Sequence, residues 1–197
     1  MNAIENLAES FSSMPGIGKK TAVRLAYFCL KADPDFLARF ATELTEIQSK
    51  IKKCSVCGSY TETDPCPICN DPKRDGTTVC VVEHPRDVVT INASGEYSGV
   101  FHVLGGVIAP LDGIGPEKLA ISQLIKRINE GSVREVIFAL NPTIEGDTTA
   151  LYLHKMLNES HPDLKITRLA SGLPVGGDIE YADKLTLARS FRARMTF

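Results

Sequence analysis

The stretch from Phe138 to Leu153, FALNPTIEGDTTALYL, decides the fold class of this chain of 197 residues. It begins with apolar residues typical of a buried strand, passes through a turn with proline, glycine and acids, and ends in a helical pattern. A buried strand, a tight turn and a helix form the repeating unit of α/β domains, whose ligand sites lie at the carboxyl ends of the strands. The turn contains Glu145 and Asp147. The first question is therefore whether this turn holds a metal ion and performs chemistry.

The segments around this stretch continue the alternation of strands with helices. An amphipathic helix is predicted over residues 117–131, EKLAISQLIKRINEG, because its large apolar residues recur on one helical face. Strands are predicted over residues 79–84 (VCVVEH), 87–94 (DVVTINAS), 99–104 (GVFHVL), 134–140 (REVIFAL) and 164–170 (LKITRLA). Strands that alternate with helices predict βαβ units and a mainly parallel sheet, which is an α/β fold.

Composition divides the chain into four predicted parts. Residues 1–53 show three helical periods and form a predicted bundle. Residues 54–77 are rich in Cys, Pro, Gly, Asp and Thr, and they have too little apolar surface to build a core. Residues 78–172 carry the α/β pattern. Residues 173–197 are predicted to form a loop and a last short helix, a candidate subunit contact.

The strongest local signal is a pair of C-x2-C motifs separated by eight residues, formed by Cys54, Cys57, Cys66 and Cys69. Two such motifs can close a tetrahedral site of four sulfurs around a soft divalent ion. We predict one structural zinc ion per chain, whose binding supplies the folding free energy that this segment lacks. Two disulfides, four free thiols and an iron–sulfur cluster are the alternatives. Cys29 and Cys80 lie in apolar helix and strand patterns, which favours core packing.

Two glycines, Gly16 and Gly18, lie between two predicted helices in the stretch MPGIGKKTAVRLA. Glycine permits a tight turn and the close approach of a ligand, and the first N–H groups of the next helix point toward that turn. Three cations follow, at Lys19, Lys20 and Arg24, and the last two share one helix face. We predict a clamp that grips the phosphates of nucleic acid without reading bases. The alternative is a plain helical connection with solvated cations.

Charge favours a local rather than a global attraction for nucleic acid. The whole chain carries a net charge of -2, whereas residues 1–53 hold eight Lys/Arg against six Asp/Glu. A second Gly-x-Gly turn, at residues 113–115, is flanked by Asp112 and Glu117 and is predicted to serve only as a turn and helix cap. There is no apolar run of signal-peptide type and none of about 18 residues, so we expect a cytoplasmic protein without membrane contact.

Six blocks of the chain, in one order, closely resemble the RecR family of bacterial recombination mediators. The blocks cover nearly the whole chain and are PGIGKKTAVRLA, CSVCG…CPIC, CVVEHPRDVV, HVLGG…PLDGIGP, NPTIEGDTTALYL and GLPVGGDIEYAD. The resemblance implies a helix-hairpin-helix bundle, a four-cysteine zinc finger and a Toprim domain. Catalytic Toprim domains hold Mg²⁺ with a strand-end glutamate and an Asp-x-Asp pair. Here Glu83 fills the first role, but Asn141 and Thr143 replace the pair, so Mg²⁺ binding is expected to be weak or absent.

The resemblance implies a non-enzymatic protein that binds single-stranded and double-stranded DNA without sequence preference, through Lys20 and Arg24. RecR-like proteins form dimers or ring-shaped tetramers on the bacterial nucleoid, and they act with RecO and RecF to load RecA onto single strands coated by SSB. The acids Glu83, Glu145 and Asp147 would be a docking surface for a basic partner, a vestigial metal site or a solvated sheet edge. The alternative function is a Mg²⁺-dependent nuclease or primase-like enzyme that uses these three acids.

Overall fold

The computed structural model describes residues 2–194, which form two compact units. One unit comprises the chain up to Ile51, and the other begins at Lys52. Within the described residues, no helix combines the length and the apolar character that a bilayer crossing requires. Each unit is described by itself below.

The first unit consists of three helices: α1 (Ala3–Ser12), α2 (Lys19–Lys31) and α3 (Pro34–Lys50). Helix α3 begins where Asp33 and Pro34 predict a start, because the Asp33 carboxylate accepts hydrogen bonds from two backbone N–H groups of the first turn. Helices α1 and α2 pack against each other across the turn at residues 13–18. The three predicted helices of this part of the chain are confirmed.

The apolar residues of the first unit are mostly on its surface. Its buried residues among those described are the small alanines Ala8, Ala22 and Ala26. Large apolar side chains stay exposed at helical spacing, namely Val23, Tyr27 and Leu30 on α2 and Leu44 and Ile47 on α3. An apolar face of this kind is typical of a surface that another protein covers.

The second unit starts with a short antiparallel ladder and continues as an α/β domain. The ladder pairs β1 (Lys52–Lys53) with β2 (Tyr60–Thr61). The α/β part comprises β3 (Asp75–Val82), α4 (Pro85–Ala93), β4 (Gly99–Val103), α5 (Ile121–Glu130), β5 (Glu135–Ala139), α6 (Ile144–Ser160), β6 (Lys165–Arg168) and α7 (Lys184–Arg192). Short 3-10 turns lie at Pro110–Asp112, Pro116–Lys118 and Ile179–Tyr181.

The sheet of the second unit has the strand order β4-β3-β5-β6, and every pair in it is parallel. This confirms the predicted α/β fold. Val82 at the end of β3 pairs with Ala139 at the end of β5. Because parallel strands end at one edge, this register brings Glu83, just after β3, close to Asn141, just after β5.

The prediction of a strand over residues 87–94 was wrong, since most of this segment lies in helix α4. Pro85 occupies the first helical turn, and the Asp87 carboxylate accepts a hydrogen bond of 2.8 Å from the backbone N–H of His84. Val88 and Ile91, three residues apart, pack in the same apolar layer, whereas Val89 and Thr90 between them are exposed, which is a helical and not an alternating pattern. These local start signals, together with packing on the sheet, outweigh the strand propensity of the β-branched residues.

Side chains of the sheet alternate between two apolar layers. Val79 and Val81 of β3 face a layer that includes residues of α5 and α6, whereas Cys80 and Val82 face a layer that includes Val88 of α4. Cys80 therefore packs in the core, as predicted, and burial raises the pKa of its thiol to about 12. Cys29 of α2 is only half-buried, so the prediction that it packs in the core is confirmed only in part.

A buried threonine of α6, Thr149, links this helix to the loop after β4 through its hydroxyl group. Thr149 is fully buried; its hydroxyl donates to the Glu145 carbonyl at 2.7 Å and accepts from the backbone N–H of Ile108 at 2.8 Å. Thr149→Val keeps the shape but leaves a buried N–H without an acceptor, which costs about 1–3 kcal/mol. We expect a decrease of that size in the free energy of unfolding, measured with urea.

The neighbouring residue provides the control for this prediction. Thr148 makes the same bond within the helix, to the Ile144 carbonyl at 2.7 Å, but it is exposed. Thr148→Val should change the free energy of unfolding by less than about 0.5 kcal/mol. Equal effects of the two substitutions would contradict the role assigned to Thr149.

Candidate functional site

The four predicted zinc ligands come together in the second unit. The sulfurs of Cys54, Cys57, Cys66 and Cys69 all lie within 4.8 Å of one another, and those of Cys57 and Cys66 are 3.7 Å apart. A tetrahedral zinc ion with sulfurs at about 2.3 Å requires sulfur–sulfur distances of about 3.8 Å. The pair of Cys57 and Cys66 already has this spacing, and the cluster as a whole is compact enough to hold one zinc ion.

Backbone hydrogen bonds and the thiols themselves prepare this cluster for a cation. The N–H groups of Cys66 and Cys69 donate to the sulfurs of Cys54 and Cys66, at 3.3 and 3.4 Å. A hydrogen bond from the Cys69 thiol lowers the pKa of Cys57 to about 5. That same bond, together with burial and the negative charge of its neighbours, raises the pKa of Cys69. Four thiolates in so small a space repel one another, so full ligation requires a divalent cation at the centre.

The glycine turn of the first unit has the geometry of an open anion-binding turn. Gly16 adopts a φ of 81°, a left-handed conformation that favours glycine, and Gly18 caps α2 without a side-chain acceptor. A Cβ atom added at Gly18 would meet nothing within 4 Å, so the fold itself does not require glycine there. The first N–H groups of α2 have no side-chain cap and are available to a ligand in the turn.

The three predicted DNA-contacting cations lie in the first two turns of α2, directly after this turn. Lys19, Lys20 and Arg24 are exposed, and no carboxylate in residues 2–194 lies within salt-bridge distance of them. The second Gly-x-Gly turn differs, because it leads into a 3-10 turn of three residues, and the Glu117 carboxylate crowds Gly115. The two turns share a sequence pattern but not an electrostatic environment.

The turn after β5 is a hydrogen-bonded structure built around Glu83. The Glu83 side chain is buried, and it accepts hydrogen bonds from the backbone N–H of Asn141 and from its side-chain amide, the latter at 2.8 Å. The Thr143 hydroxyl accepts from the N–H of Gly146 at 3.0 Å and caps α6. A Cβ at Gly146 would approach the Asn141 carbonyl to 2.1 Å, so only glycine fits. The two neutral replacements of the Asp-x-Asp pair thus both have structural partners.

The predicted acids Glu83, Glu145 and Asp147 are not brought together as a metal site. Asp147 forms ion pairs with Arg189 of α7 at 2.6 Å and with Arg168 of β6 at 3.1 Å. Glu145 is exposed. In residues 2–194, the four cysteines are the only set of three or more acidic, histidine or cysteine side chains close enough to share an ion.

The sequence analysis did not single out Arg168 or Arg189. The two arginines lie on separate elements, and no spacing in the sequence connects them with Asp147. The ion pair with Arg189 fastens helix α7 to helix α6, so Asp147 links the C-terminal segment to the α/β domain.

Models of four protein domains match successive parts of the chain. They are the RecR helix-hairpin-helix (residues 4–48), the RecR zinc finger domain with four cysteines (residues 51–71), the Toprim domain (residues 77–170) and the RecR C-terminal domain (residues 172–195). The zinc-finger match spans the four clustered cysteines, so the group that they hold is a structural zinc ion. The predicted combination of domains is confirmed.

Curated proteins similar over nearly the whole length carry the name "Recombination protein RecR". The protein of Treponema denticola is 58% identical over all 197 residues and is covered completely. Those of Bifidobacterium animalis subsp. lactis and Bifidobacterium adolescentis are 49% and 47% identical over 98% of this chain and 95% of their own length.

Removal of one zinc ligand tests the structural role of the metal. Cys57→Ser should lose its zinc and melt at a lower temperature, because the short ladder between β1 and β2 has little apolar area to hold it. Zinc released per chain, measured with a chromophoric chelator, and thermal unfolding report the two effects. We expect folded yield to fall before the affinity for DNA does.

The control removes a thiol that lies outside the cluster. Cys29→Ser, on helix α2, should retain zinc and lose little stability. A zinc-free Cys57→Ser protein with the melting temperature of the parent would contradict a structural role for the metal.

Proposed function

The chain belongs to the RecR family of recombination proteins, and from this premise we propose that it is a DNA-binding recombination mediator without catalytic activity. It clamps single-stranded and double-stranded DNA without sequence preference. With RecO and RecF it loads RecA onto single strands coated by SSB at gapped DNA, on the nucleoid in the bacterial cytoplasm. The observation that carries the proposal is the open glycine turn with its three uncompensated cations.

The proposed clamp works through backbone phosphates alone. Uncapped N–H groups at the start of α2 donate to a phosphate oxygen, and Lys20 and Arg24, four residues apart on one face, neutralise neighbouring phosphates. Gly16 and Gly18 keep side chains out of the approach path, and Lys19 adds a third charge. None of these groups requires a particular base, so the clamp does not discriminate between sequences.

We propose that four parts of the chain share the work. Residues 1–53 bind DNA, residues 54–77 form the zinc finger, residues 78–172 form the Toprim domain and residues 173–197 contact another subunit. A homodimer or a ring-shaped homotetramer is supported by the exposed apolar side chains of α2 and α3. The C-terminal part likewise exposes large apolar residues, namely Val175, Ile179, Tyr181, Leu185 and Phe191.

We propose that the acidic segment at the start of α6, which carries Glu145 and Asp147, docks a basic partner and does not hold Mg²⁺. Glu145 is exposed next to Ile144, which is 81% exposed, so the start of α6 offers a charge beside an apolar contact. Both oxygens of Glu83 are taken by Asn141, and both oxygens of Asp147 pair with arginines, Arg168 and Arg189. These partners support a turn without phosphoryl-transfer chemistry, because the carboxylates that Mg²⁺ prefers are already satisfied.

Removal of two cations tests the clamp. Lys20→Ala with Arg24→Ala should weaken binding to single-stranded and double-stranded DNA alike. The slope of log affinity against log salt should flatten by about 1.4 to 1.8, because two phosphate contacts no longer release counterions. Fluorescence anisotropy of labelled DNA at several salt concentrations gives both quantities.

A matched variant controls for the loss of charge. Lys31→Ala with Arg39→Ala also removes two exposed cations from the first unit, one at the opposite end of α2 and one on α3. This variant should leave the salt slope nearly unchanged. If both double variants bind DNA equally well, the clamp is not at the glycine turn.

The absence of catalysis is tested in one incubation of labelled gapped DNA with excess protein and Mg²⁺. Half of the sample is run on a native gel and half on a denaturing gel. We expect retarded DNA with intact strands, because no described set of acids is arranged to share a metal ion. New strand ends that disappear in Glu83→Gln would show that the protein is an enzyme and refute the mediator proposal.

A further inference from the structure

A groove of the second unit lies between the zinc finger and the sheet edge. One part of it has a volume of about 390 Å³ and is lined by residues that include Lys53, Tyr60 and His102. The adjoining part, of about 530 Å³, shares Tyr60 with it and is lined by Pro85 and Arg86 as well. We call this surface the Tyr60 groove. Its total volume lies in the range of small-ligand sites.

The aromatic ring of Tyr60 is available to a ligand. The side chain is 62% exposed, and within residues 2–194 its ring stacks on no other aromatic ring and its hydroxyl makes no hydrogen bond. Lys53 is its direct partner across the β1–β2 ladder, so the two side chains lie on the same face. An exposed ring beside a cation is the arrangement that proteins use to stack unpaired bases.

The charge at the groove is positive. Lys53 and Arg86 are exposed, and no carboxylate of the described residues lies within salt-bridge distance of either one. None of the residues that line either part of the groove is acidic. The groove therefore complements a chain of phosphates.

A buried polar atom at the groove lacks a partner. His102 is 2% exposed, and its Nε2 lies 2.8 Å from the Ala120 carbonyl, which can only accept, so the hydrogen is on Nε2. The lone pair of Nδ1 is then free, and this is the only buried side-chain nitrogen or oxygen in residues 2–194 without a hydrogen-bond partner. This nitrogen is shielded from solvent, so it is not counted among the contacts of a ligand in the groove.

We propose that the Tyr60 groove binds single-stranded nucleic acid, with one unpaired base stacked on Tyr60 and the flanking phosphates on Lys53 and Arg86. The groove is selective for single strands because paired bases in a duplex are already stacked and cannot cover the ring. This inference rests on the proposed binding of DNA and deepens it, since it adds a base-contacting subsite to the phosphate clamp at the glycine turn.

The chain contains no tryptophan, which makes a selective optical test available. Tyr60→Trp places a single reporter in the groove, and Tyr181→Trp places one at another exposed tyrosine, 83% exposed, as the matched control. We expect a short oligodeoxyadenylate to quench only the reporter at position 60. An abasic oligonucleotide of the same length, which has the phosphates without the bases, should not quench it. Equal quenching by both probes, or of both reporters, would overturn the proposal.

Affinity measurements provide an independent readout. Tyr60→Ala should weaken binding of single strands by about 5-fold to 160-fold, the effect of one lost stack, and Tyr60→Phe should stay within about twofold of the parent. Neither variant should alter binding of a duplex. Lys53→Ala should flatten the salt slope for single strands by about 0.7. A loss of affinity that is equal for single strands and duplex would overturn the base-stacking subsite.

The two proposals fail in different ways. If gel retardation depends on Lys20 and Arg24 but the reporter at position 60 is silent, the groove is wrong and the clamp stands. If the reporter is quenched but the Lys20 and Arg24 variants bind normally, the clamp is wrong and the groove stands. A reporter that responds to a basic or apolar peptide and not to the oligonucleotide would overturn the groove as a nucleic-acid site.

Discussion

The second unit depends on how the buried carboxylate of Glu83 is satisfied at the end of a central strand. A buried charge without partners would cost several kcal/mol, so it must be paired or hydrogen-bonded. In a catalytic Toprim domain a metal ion would fulfil this need. Here Asn141 does so with two N–H groups, one of the backbone and one of the side chain. That pair ties the ends of β3 and β5 and fixes where the turn before α6 begins.

From this constraint follow the other features of the turn. Thr143 caps α6, and Gly146 lets the helix pass against the Asn141 carbonyl. Asp147 then points to β6 and α7, where Arg168 and Arg189 neutralise it. A sequence of acids that resembles a metal site is thus used to fasten the C-terminal segment. The exposed Glu145 is the one acid of the predicted set whose side chain has no hydrogen-bond or ion-pair partner among the described residues.

The zinc finger and the helical unit must each be stable with few buried apolar residues. The zinc finger replaces a core by four sulfur ligands around one ion, so its stability depends on metal and thiolate chemistry. The helical unit buries mostly alanine and leaves larger apolar side chains outside. Both therefore leave side chains such as Tyr60 and Tyr27 on their surfaces, which is where contacts with nucleic acid or other chains are proposed.

The sequence by itself determined the features that are encoded by local spacing. These features are the helix start at Asp33, the four zinc ligands and the alternation of strands with helices. Each is encoded by residues that are close together in the sequence, and the structure confirms all three. One local prediction was wrong. Residues 87–94 were predicted to form a strand because they include β-branched residues, but a helix begins at Pro85. What only the tertiary structure decided were pairs between distant elements: Asn141 with Glu83, and Asp147 with its arginines. Their partners are set by strand order and register, which no periodicity along the chain encodes, because hydrogen bonds and ion pairs form only after the sheet has brought the ends together.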